Sequence, residues 1–158
     1  MRDYGLYLKE KGCTIRCLNL KYPEQSDRYN PFEYIETEED IIKLIANIQK
    51  SITPPDAMKG EPFWDDGVAL YLQSLFYYEW WYAEKEGRTK EFNNVLILVN
   101  LEAQKDLSKP VEKGKQPVTM LQTKMDELAA EDSPDNPAVR DYRKLKDGAA
   151  AVSYTHLR

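Results

Sequence analysis

The sequence predicts a mainly α-helical protein that begins with a helix and a strand, as α/β folds do. Apolar residues recur every three or four positions in the long stretches after residue 36, which is the spacing of amphipathic helices. A short run rich in β-forming residues, from Ile15 to Leu20, follows a helical stretch and Gly12, and this order is half of an α/β unit. With 158 residues, 31% charged and 42% hydrophobic, the chain has the composition of one globular domain.

The net charge of −5 argues against a general polyanion-binding protein, which would need a basic face. Two basic runs are candidates for a local patch, namely residues 109–115 (KPVEKGK) and 140–146 (RDYRKLK). Runs of this kind are more often solvated surface than binding sites, so the charge pattern alone predicts no nucleic-acid track.

The cysteines and the histidine predict neither a disulfide nor a metal site. Cys13 and Cys17 would share one face of the strand but lie ~13 Å apart, which is too far for a disulfide. We interpret them as small apolar residues of a reduced, intracellular protein. A metal site would need more ligands, and the only histidine is His156. We expect no signal peptide, because the first residues, MRDYGLYLKEKG, have no apolar core.

The first predicted elements are an amphipathic helix and a strand. The apolar positions of the helix are Tyr4, Tyr7 and Leu8. Gly12 is placed to end this helix in a left-handed turn. A single strand cannot form a sheet, so its partner strands belong either to another chain or to a longer protein of which this chain is a piece.

A loop with Pro23 and Pro31 leads to the second predicted helix. Thr37 is the predicted N-cap, and residues 38–40 place three acids in the first turn, where the helix dipole favours negative charge. The apolar face of this helix is formed by Ile41, Leu44, Ile45 and Ile48. The pair Pro54-Pro55 ends the helix.

The next predicted helix, from Pro62 to Gly87, is the centre of the fold, because two apolar stripes cover much of its circumference. The stripes are Trp64, Val68, Tyr71, Leu75, Tyr78 and Tyr82, and Leu72, Phe76 and Trp80. A helix of this kind is buried by several neighbours or by a membrane. Polar residues interrupt every window of ~20 residues, which argues against a membrane span. Aromatic stripes can also stack on nucleic-acid bases, but both stripes are needed to hold the surrounding helices, which favours core packing.

The last third of the chain predicts three further helices. The stretch 91–104 is ambiguous, since Val95 to Val99 would suit a buried strand. Phe92, Val95, Leu96 and Val99 also match the helical spacing, and the helical context favours a helix. A lysine-rich loop with Pro110 and Gly114 follows. The next helix has its apolar positions at Val118, Leu121, Met125 and Leu128. The last helix has Asn136 as its cap, Pro137 at its first position, and Val139, Tyr142 and Leu145 facing inward.

Four segments in this order resemble the TraG/TraD-type coupling proteins of conjugative type IV secretion. They are DYGLYLKEKGCTIRCLNL (3–20), SDRYNPFEYI (26–35), EEDIIKLIANI (38–48) and PFWDDGVALYLQSLFYYEWWY (62–82). The resemblance covers roughly residues 3–148, and it is carried by the order and spacing of the segments. In that family a helical insertion, the all-alpha domain, interrupts a RecA-like ATPase core.

The resemblance implies a domain organisation. Residues 1–30 would be part of the RecA-like core, and the turn at Asn30 and Pro31 would be the exit from it. Residues 31–150 would be the all-alpha insertion. Residues 151–158, ending VSYTHLR, fit neither the last helix nor the expected return to the core, and we predict a non-native or frayed tail.

The chain lacks the motifs of nucleotide chemistry. The phosphate-binding loop Gly-x-x-x-x-Gly-Lys-Ser/Thr does not occur, nor does an apolar strand ending in magnesium-binding acids. The acid pairs Asp65-Asp66 and Glu38-Glu39 are interpreted as first-turn helix charges and not as catalytic dyads. We therefore predict no catalytic, cofactor-binding or metal-binding residue here. The family places the missing motifs on either side of this segment, so ATP and Mg²⁺ are expected only in a full-length parent, of which this chain is an internal fragment.

Two classes of function remain. In the first, the chain is the helical substrate-recognition part of a coupling ATPase, a homo-hexamer anchored at the cytoplasmic face of the cell membrane. Its partners would be a relaxase or other secreted proteins, with single-stranded DNA bound weakly at most. In the second, the chain is a free-standing helical adaptor whose strand pairs with a partner's sheet edge.

Overall fold

The protein is mainly α-helical, as predicted. The computed structural model describes the backbone of residues 2–19, 21–52, 62–111 and 116–155, and the side chains of residues 4–19, 21–52, 66–111 and 116–148. Within this part of the chain the helices are α1 (Arg2–Glu10), α2 (Glu38–Ile52), α3 (Pro62–Glu86), α4 (Phe92–Glu102), α5 (Met120–Glu131) and α6 (Pro137–Thr155). Two short 3-10 turns cover Pro23–Gln25 and Pro31–Tyr34.

The chain divides into two compact units, Met1–Asn30 and Pro31–Arg158. The first contains α1 and the segment that follows it, and the second contains helices α2 to α6. The assignment of the first unit to a RecA-like core stays a prediction. No helix in the described ranges is both long and apolar enough to cross a membrane.

Helix α1 ends at the predicted glycine. Gly12 has a φ of 79°, and the N–H of Cys13 donates to the carbonyl of Leu8 at 3.0 Å, which closes the helix in a left-handed turn. The predicted strand that follows does not form: residues 13–19 have no regular secondary structure. A strand needs a neighbour for its backbone hydrogen bonds, and no second strand is present among the described residues.

Helix α2 begins as predicted after Thr37. The Asp40 carboxylate accepts hydrogen bonds from the Thr37 hydroxyl at 2.9 Å and from the Thr37 N–H at 3.1 Å, so the third helical residue reaches back to the cap. Ile41 and Ile45 are buried. The predicted stop at residues 54–55 lies outside the described residues.

Helix α3 is the central helix, and it packs against α2, α4 and α6. Residues 74–79 are all buried, so the helix is covered on every side along this stretch. Val68, predicted to face inward, is 47% exposed, because it lies towards the N-terminal end of the helix. The side chain of Trp64 lies outside the described residues. Gly87, with a φ of 65°, ends the helix as predicted.

The ambiguous stretch after Glu91 is a helix, as the helical context indicated. Its buried residues are Val95 and Leu98. Leu96 and Val99, two of the residues that match the helical spacing, are exposed, since α4 packs mainly against α3 and α5 through its other side.

Helices α5 and α6 follow the predicted pattern. Leu121, Met125 and Leu128 are buried, and so are Val139 and Tyr142. The Thr119 hydroxyl caps α5 by accepting the N–H of Gln122 at 3.1 Å. Asn136 caps α6 by accepting the N–H of Ala138 at 3.0 Å. Helix α6 continues to Thr155, so the expectation that the tail does not fit the last helix was wrong for residues 151–155. Residues 156–158 lie outside the described part. Whether residues 151–158 are native stays a prediction.

Candidate interaction surfaces

The outward side of α4 carries a cluster of apolar side chains, here called the α4 outer face. It consists of Leu96 (48% exposed) and Val99 (38%), with Phe92 (37%), whose ring also packs on the buried Phe76. These residues are spaced four and three apart, so they lie in one row along the helix, whereas Ile97 (49% exposed) is about 100° from Leu96 around the axis and lines a separate hollow with Glu79 and Arg88. A single exposed apolar residue is ordinary, whereas a contiguous group on one helix is typical of a contact surface.

A buried carboxylate fixes α4 against α3. Glu79, on α3, is 1% exposed, and its carboxylate accepts hydrogen bonds from both terminal nitrogens of Arg88 at 2.7 and 2.8 Å. It also accepts the N–H of Glu91 at 2.9 Å and the side-chain amide of Asn94 at 3.0 Å. Since these donors belong to the turn before α4 and to its first turn, the cluster sets the position of the helix that carries the outer face.

The charge of Glu79 is stabilised by these donors. Burial alone would raise the pKa of the Glu79 carboxyl, but the hydrogen bonds from Arg88, Asn94 and the Glu91 N–H outweigh burial and hold the pKa below its ordinary value. The same pairing raises the pKa of the Arg88 guanidinium. Both partners are therefore charged, and the pair is a structural element of the turn.

The other end of α4 is fixed by Glu102. Its carboxylate accepts the hydroxyl of Tyr142 at 2.8 Å and the ammonium of Lys146, both on α6, and the hydroxyl of Thr119 at 3.3 Å. Burial, and then the Glu102 charge, raise the pKa of Tyr71 to about 12. Helix α4 is thus held at both ends by carboxylates, and this rigidity suits a surface that must present a fixed shape.

The lysine-rich loop between α4 and α5 is closed at its base. Lys105 and Thr119 form an antiparallel bridge, and the N–H of Asp106 donates to the carbonyl of Val118 at 2.9 Å. The Asp106 carboxylate accepts the Ser108 hydroxyl at 2.6 Å and the Thr123 hydroxyl at 2.7 Å, and these bonds lower its pKa. Residues 112–115 lie outside the described part, so most of the basic run at 109–115 has no structural account.

The second basic run, on α6, is neutralised by carboxylates. The ion pairs are Arg140 with Asp141, Arg143 with Asp126, Lys144 with Asp141, and Lys146 with Glu102. Each nitrogen–oxygen distance is 4.0 Å or less. Basic groups that already pair with carboxylates neutralise few phosphates and so release few counterions from a nucleic acid, which makes this helix a poor candidate for a nucleic-acid track.

The aromatic stripes of α3 are core, as predicted. Phe76 is 1% exposed and its ring stacks on Phe32 with the centroids 5.4 Å apart. Tyr78 is buried and stacks on Tyr82 at 5.1 Å. Trp80 is only half-buried, and the Lys90 ammonium lies 4.9 Å from its ring centroid. Rings that are already stacked in the core are not available to nucleic-acid bases.

The acid pairs lie at helix starts. Glu38 and Glu39 are exposed in the first turn of α2, and Asp66 is exposed near the start of α3. The side chain of Asp65 lies outside the described residues. In the described part of the chain no group of three or more His, Cys, Asp or Glu side chains could hold a metal ion. That the chain holds no catalytic or cofactor-binding residue stays a prediction.

Sequence comparison identifies the family. A family model for conjugative DNA transfer by the type IV secretory system matches residues 7–143, which include most of both units. No curated protein and no solved structure shows significant similarity to the chain. The four segments that resemble TraG/TraD-type coupling proteins lie almost entirely within the region that the family model matches. The chain therefore belongs to the type IV secretory system conjugative DNA transfer family, as a TraG/TraD-type coupling protein sequence.

Proposed function

We propose that the chain is a piece of a coupling ATPase and that its helical unit, residues 31–155, recognises the proteins delivered to the secretion channel. The observation that carries this proposal is the family match across both units. The phosphate loop and the magnesium-binding acids do not occur in the sequence, so this piece contributes binding and not hydrolysis. ATP and Mg²⁺ are bound by other parts of the parent, a membrane-anchored homo-hexamer.

The surface chemistry supports a protein partner over DNA. The α4 outer face is apolar, and apolar faces are buried efficiently by other proteins but make no contact with phosphates. The basic groups of α6 are paired with carboxylates, and the net charge of the chain is −5. A relaxase or its accessory protein is the partner that the conjugative family implies, and the α4 outer face is the surface that we assign to it.

Ionic strength separates the two classes of partner. We would immobilise the 158-residue chain and offer it a relaxase, and in parallel single-stranded DNA, at about 50 mM and about 200 mM salt. The relaxase should be retained at both concentrations, since an apolar contact is little screened, whereas DNA held by phosphate contacts should be released at the higher one. Tight DNA binding at physiological salt, with no protein substrate retained, would overturn the proposal.

The neighbouring DNA tests whether the chain is part of an ATPase. A phosphate-binding loop encoded in frame upstream supports the coupling ATPase. A stop codon upstream, followed by a promoter of its own, supports instead a free-standing helical adaptor.

A further inference from the structure

Three phenylalanine rings form a continuous stack through the helical unit. The ring of Phe32 stacks on that of Phe76 with the centroids 5.4 Å apart and the planes inclined by 26°. The Phe76 ring also lies against that of Phe92, with the centroids 5.8 Å apart and the planes inclined by 48°. Phe32 and Phe76 are buried, whereas Phe92 is 37% exposed. The stack therefore runs from the core to the surface, and because protein interiors are close-packed, a change in the position of one ring is passed to the next.

The inner end of the stack lies at the entry to the helical unit. The boundary between the two compact units falls between Asn30 and Pro31, and the second unit opens with the 3-10 turn Pro31–Tyr34. Pro31 and Phe32 are both buried, so the chain is anchored directly after the boundary. The pyrrolidine ring fixes φ at Pro31, which leaves the turn little freedom to absorb a displacement. A movement of the chain at residue 30 is therefore applied almost directly to the Phe32 ring.

The outer end of the stack belongs to the α4 outer face. Phe92 is the first residue of α4 and the first of the apolar row. The Glu79 carboxylate fixes the backbone on either side of it, through the N–H of Glu91 and the side-chain amide of Asn94. A phenylalanine ring can make no such hydrogen bond, so its orientation depends on packing, and the ring that it packs against is that of Phe76.

We infer that Phe32 is a positioning residue for the α4 outer face: through Phe76 it sets the orientation of the Phe92 ring, and it connects that face to the boundary at residues 30–31. A leucine at position 32 would fill much of the same space but has no flat face on which Phe76 can stack, so the tilt of both further rings would change. In the coupling ATPase, a change in the first unit would thereby alter the shape of the surface offered to the secreted protein. The inference rests on the proposed function for the identity of that partner, whereas the stack is a property of the chain itself.

Fluorine NMR reports the environment of each ring separately. The sequence contains four phenylalanines, so the full chain labelled with fluorinated phenylalanine gives four signals, and the signal that Phe92→Leu removes belongs to Phe92. Phe32→Leu should shift the Phe92 signal by more than its line width, because the Phe76 ring then meets Phe92 at a different angle. Phe32→Tyr, which keeps a ring, should leave the Phe92 signal near its natural position. An unchanged Phe92 signal in Phe32→Leu, or an equal shift in both variants, would overturn the inference.

A core substitution away from the stack provides the matched control. Gly67 lies about 180° from Phe76 around the axis of α3, at about 100° per residue, and a Cβ added there would lie 3.7 Å from Leu145 Cδ1 of α6. Helix α6 therefore packs on the side of α3 opposite the stack. Val139→Ala, in α6, removes methyl groups from a fully buried side chain and should leave the Phe92 signal unchanged. A shift as large as that in the leucine variant would indicate a general loosening of the core and contradict the inference.

The connection to the boundary has its own test. Pro31→Gly adds backbone freedom directly before Phe32 and keeps all three rings. It should shift or broaden the Phe92 signal, by less than Phe32→Leu does. A Phe92 signal that does not change would show that the stack is not connected to the boundary.

None of these spectra involves a secretion substrate. A failure here therefore leaves the relaxase measurement to decide the proposed function separately. Conversely, a relaxase that does not bind would overturn the proposed function and leave the effect of Phe32 on Phe92 as measured.

Discussion

The guanidinium of Arg88 meets the carboxylate of Glu79 through both of its terminal nitrogens, at 2.7 and 2.8 Å, across the turn that Gly87 makes between α3 and α4. The Glu79 carboxylate is 1% exposed and the Arg88 side chain 34% exposed. The pair therefore joins a buried charge to a partly solvated one, and its removal should reveal how much the position of α4 depends on this contact.

Arg88→Ala should lower the free energy of unfolding by ~3 kcal/mol, because it leaves the Glu79 charge buried without its main partner. Arg143→Ala is the matched control: its exposed pair with Asp126, at 4.0 Å, should contribute less than ~1 kcal/mol. Urea denaturation of both variants provides the comparison. Equal losses in the two variants would show that the Glu79 cluster does not fix α4.

The free energy of unfolding should depend on pH through the carboxyl group of Asp40. Hydrogen bonds from the Thr37 hydroxyl and from Lys43 lower the pKa of Asp40 from 3.8 to about 2. A carboxyl whose pKa is lower in the folded state stabilises that state above its unfolded pKa, and this contribution disappears as the pH falls through the folded pKa. The difference in stability between the natural chain and Asp40→Asn should therefore be constant above about pH 4 and shrink towards pH 2. Urea melts across this range measure it, and a difference that does not change with pH would contradict the assignment.

The core should be more sensitive at Phe76 than at Trp80. Phe76 is fully buried between Phe32 and Phe92, with ring centroids 5.4 and 5.8 Å away, so Phe76→Ala should cost ~3–5 kcal/mol. Trp80 is only half-buried, and we expect Trp80→Ala to cost about half as much. Urea denaturation of the two variants measures both losses in the free energy of unfolding. A loss below about 1 kcal/mol at Trp80 would instead place that ring on an exposed binding face.

The chain should not bind ATP. The sequence contains no phosphate-binding loop, whose backbone amides and lysine hold the phosphates. Calorimetric titration of the 158-residue chain with ATP and Mg²⁺ should therefore give no saturable heat. Saturable binding in the micromolar range would reveal a nucleotide site that the sequence motifs do not identify.

Local signals were sufficient to predict the ends of α1 and α3 and the starts of α2 and α6. Gly12 and Gly87 adopt the left-handed conformation that closes a helix, and Asn136 caps α6 through its side chain. These features depend only on neighbours along the chain, which is why a single sequence contains them. The predicted strand needed a neighbouring strand, which is absent among the described residues, and it did not form.

The orientation of α4 could not be predicted, because residues 95–99 are all apolar and every face of the helix matches the periodic template equally well. Packing against α3 and α5 buries Leu98 and leaves Leu96 exposed. The role of Glu79 had one sequence signal, an acid in the middle of an apolar stretch. Its partner, Arg88, lies nine positions later beyond a turn, and only the fold brings the two together.

The most direct test of the central claim is the affinity of a relaxase for two variants of this chain. Leu96, on the α4 outer face, and Ile42, on α2, are 48% and 46% exposed, so Leu96→Ser and Ile42→Ser remove side chains of equal size at nearly equal exposure. If the α4 outer face recognises the secretion substrate, Leu96→Ser should raise the Kd about tenfold, and Ile42→Ser should leave it unchanged. Equal affinities of the two variants and the natural chain for a relaxase that does bind, or no binding of a relaxase at all, would contradict the claim.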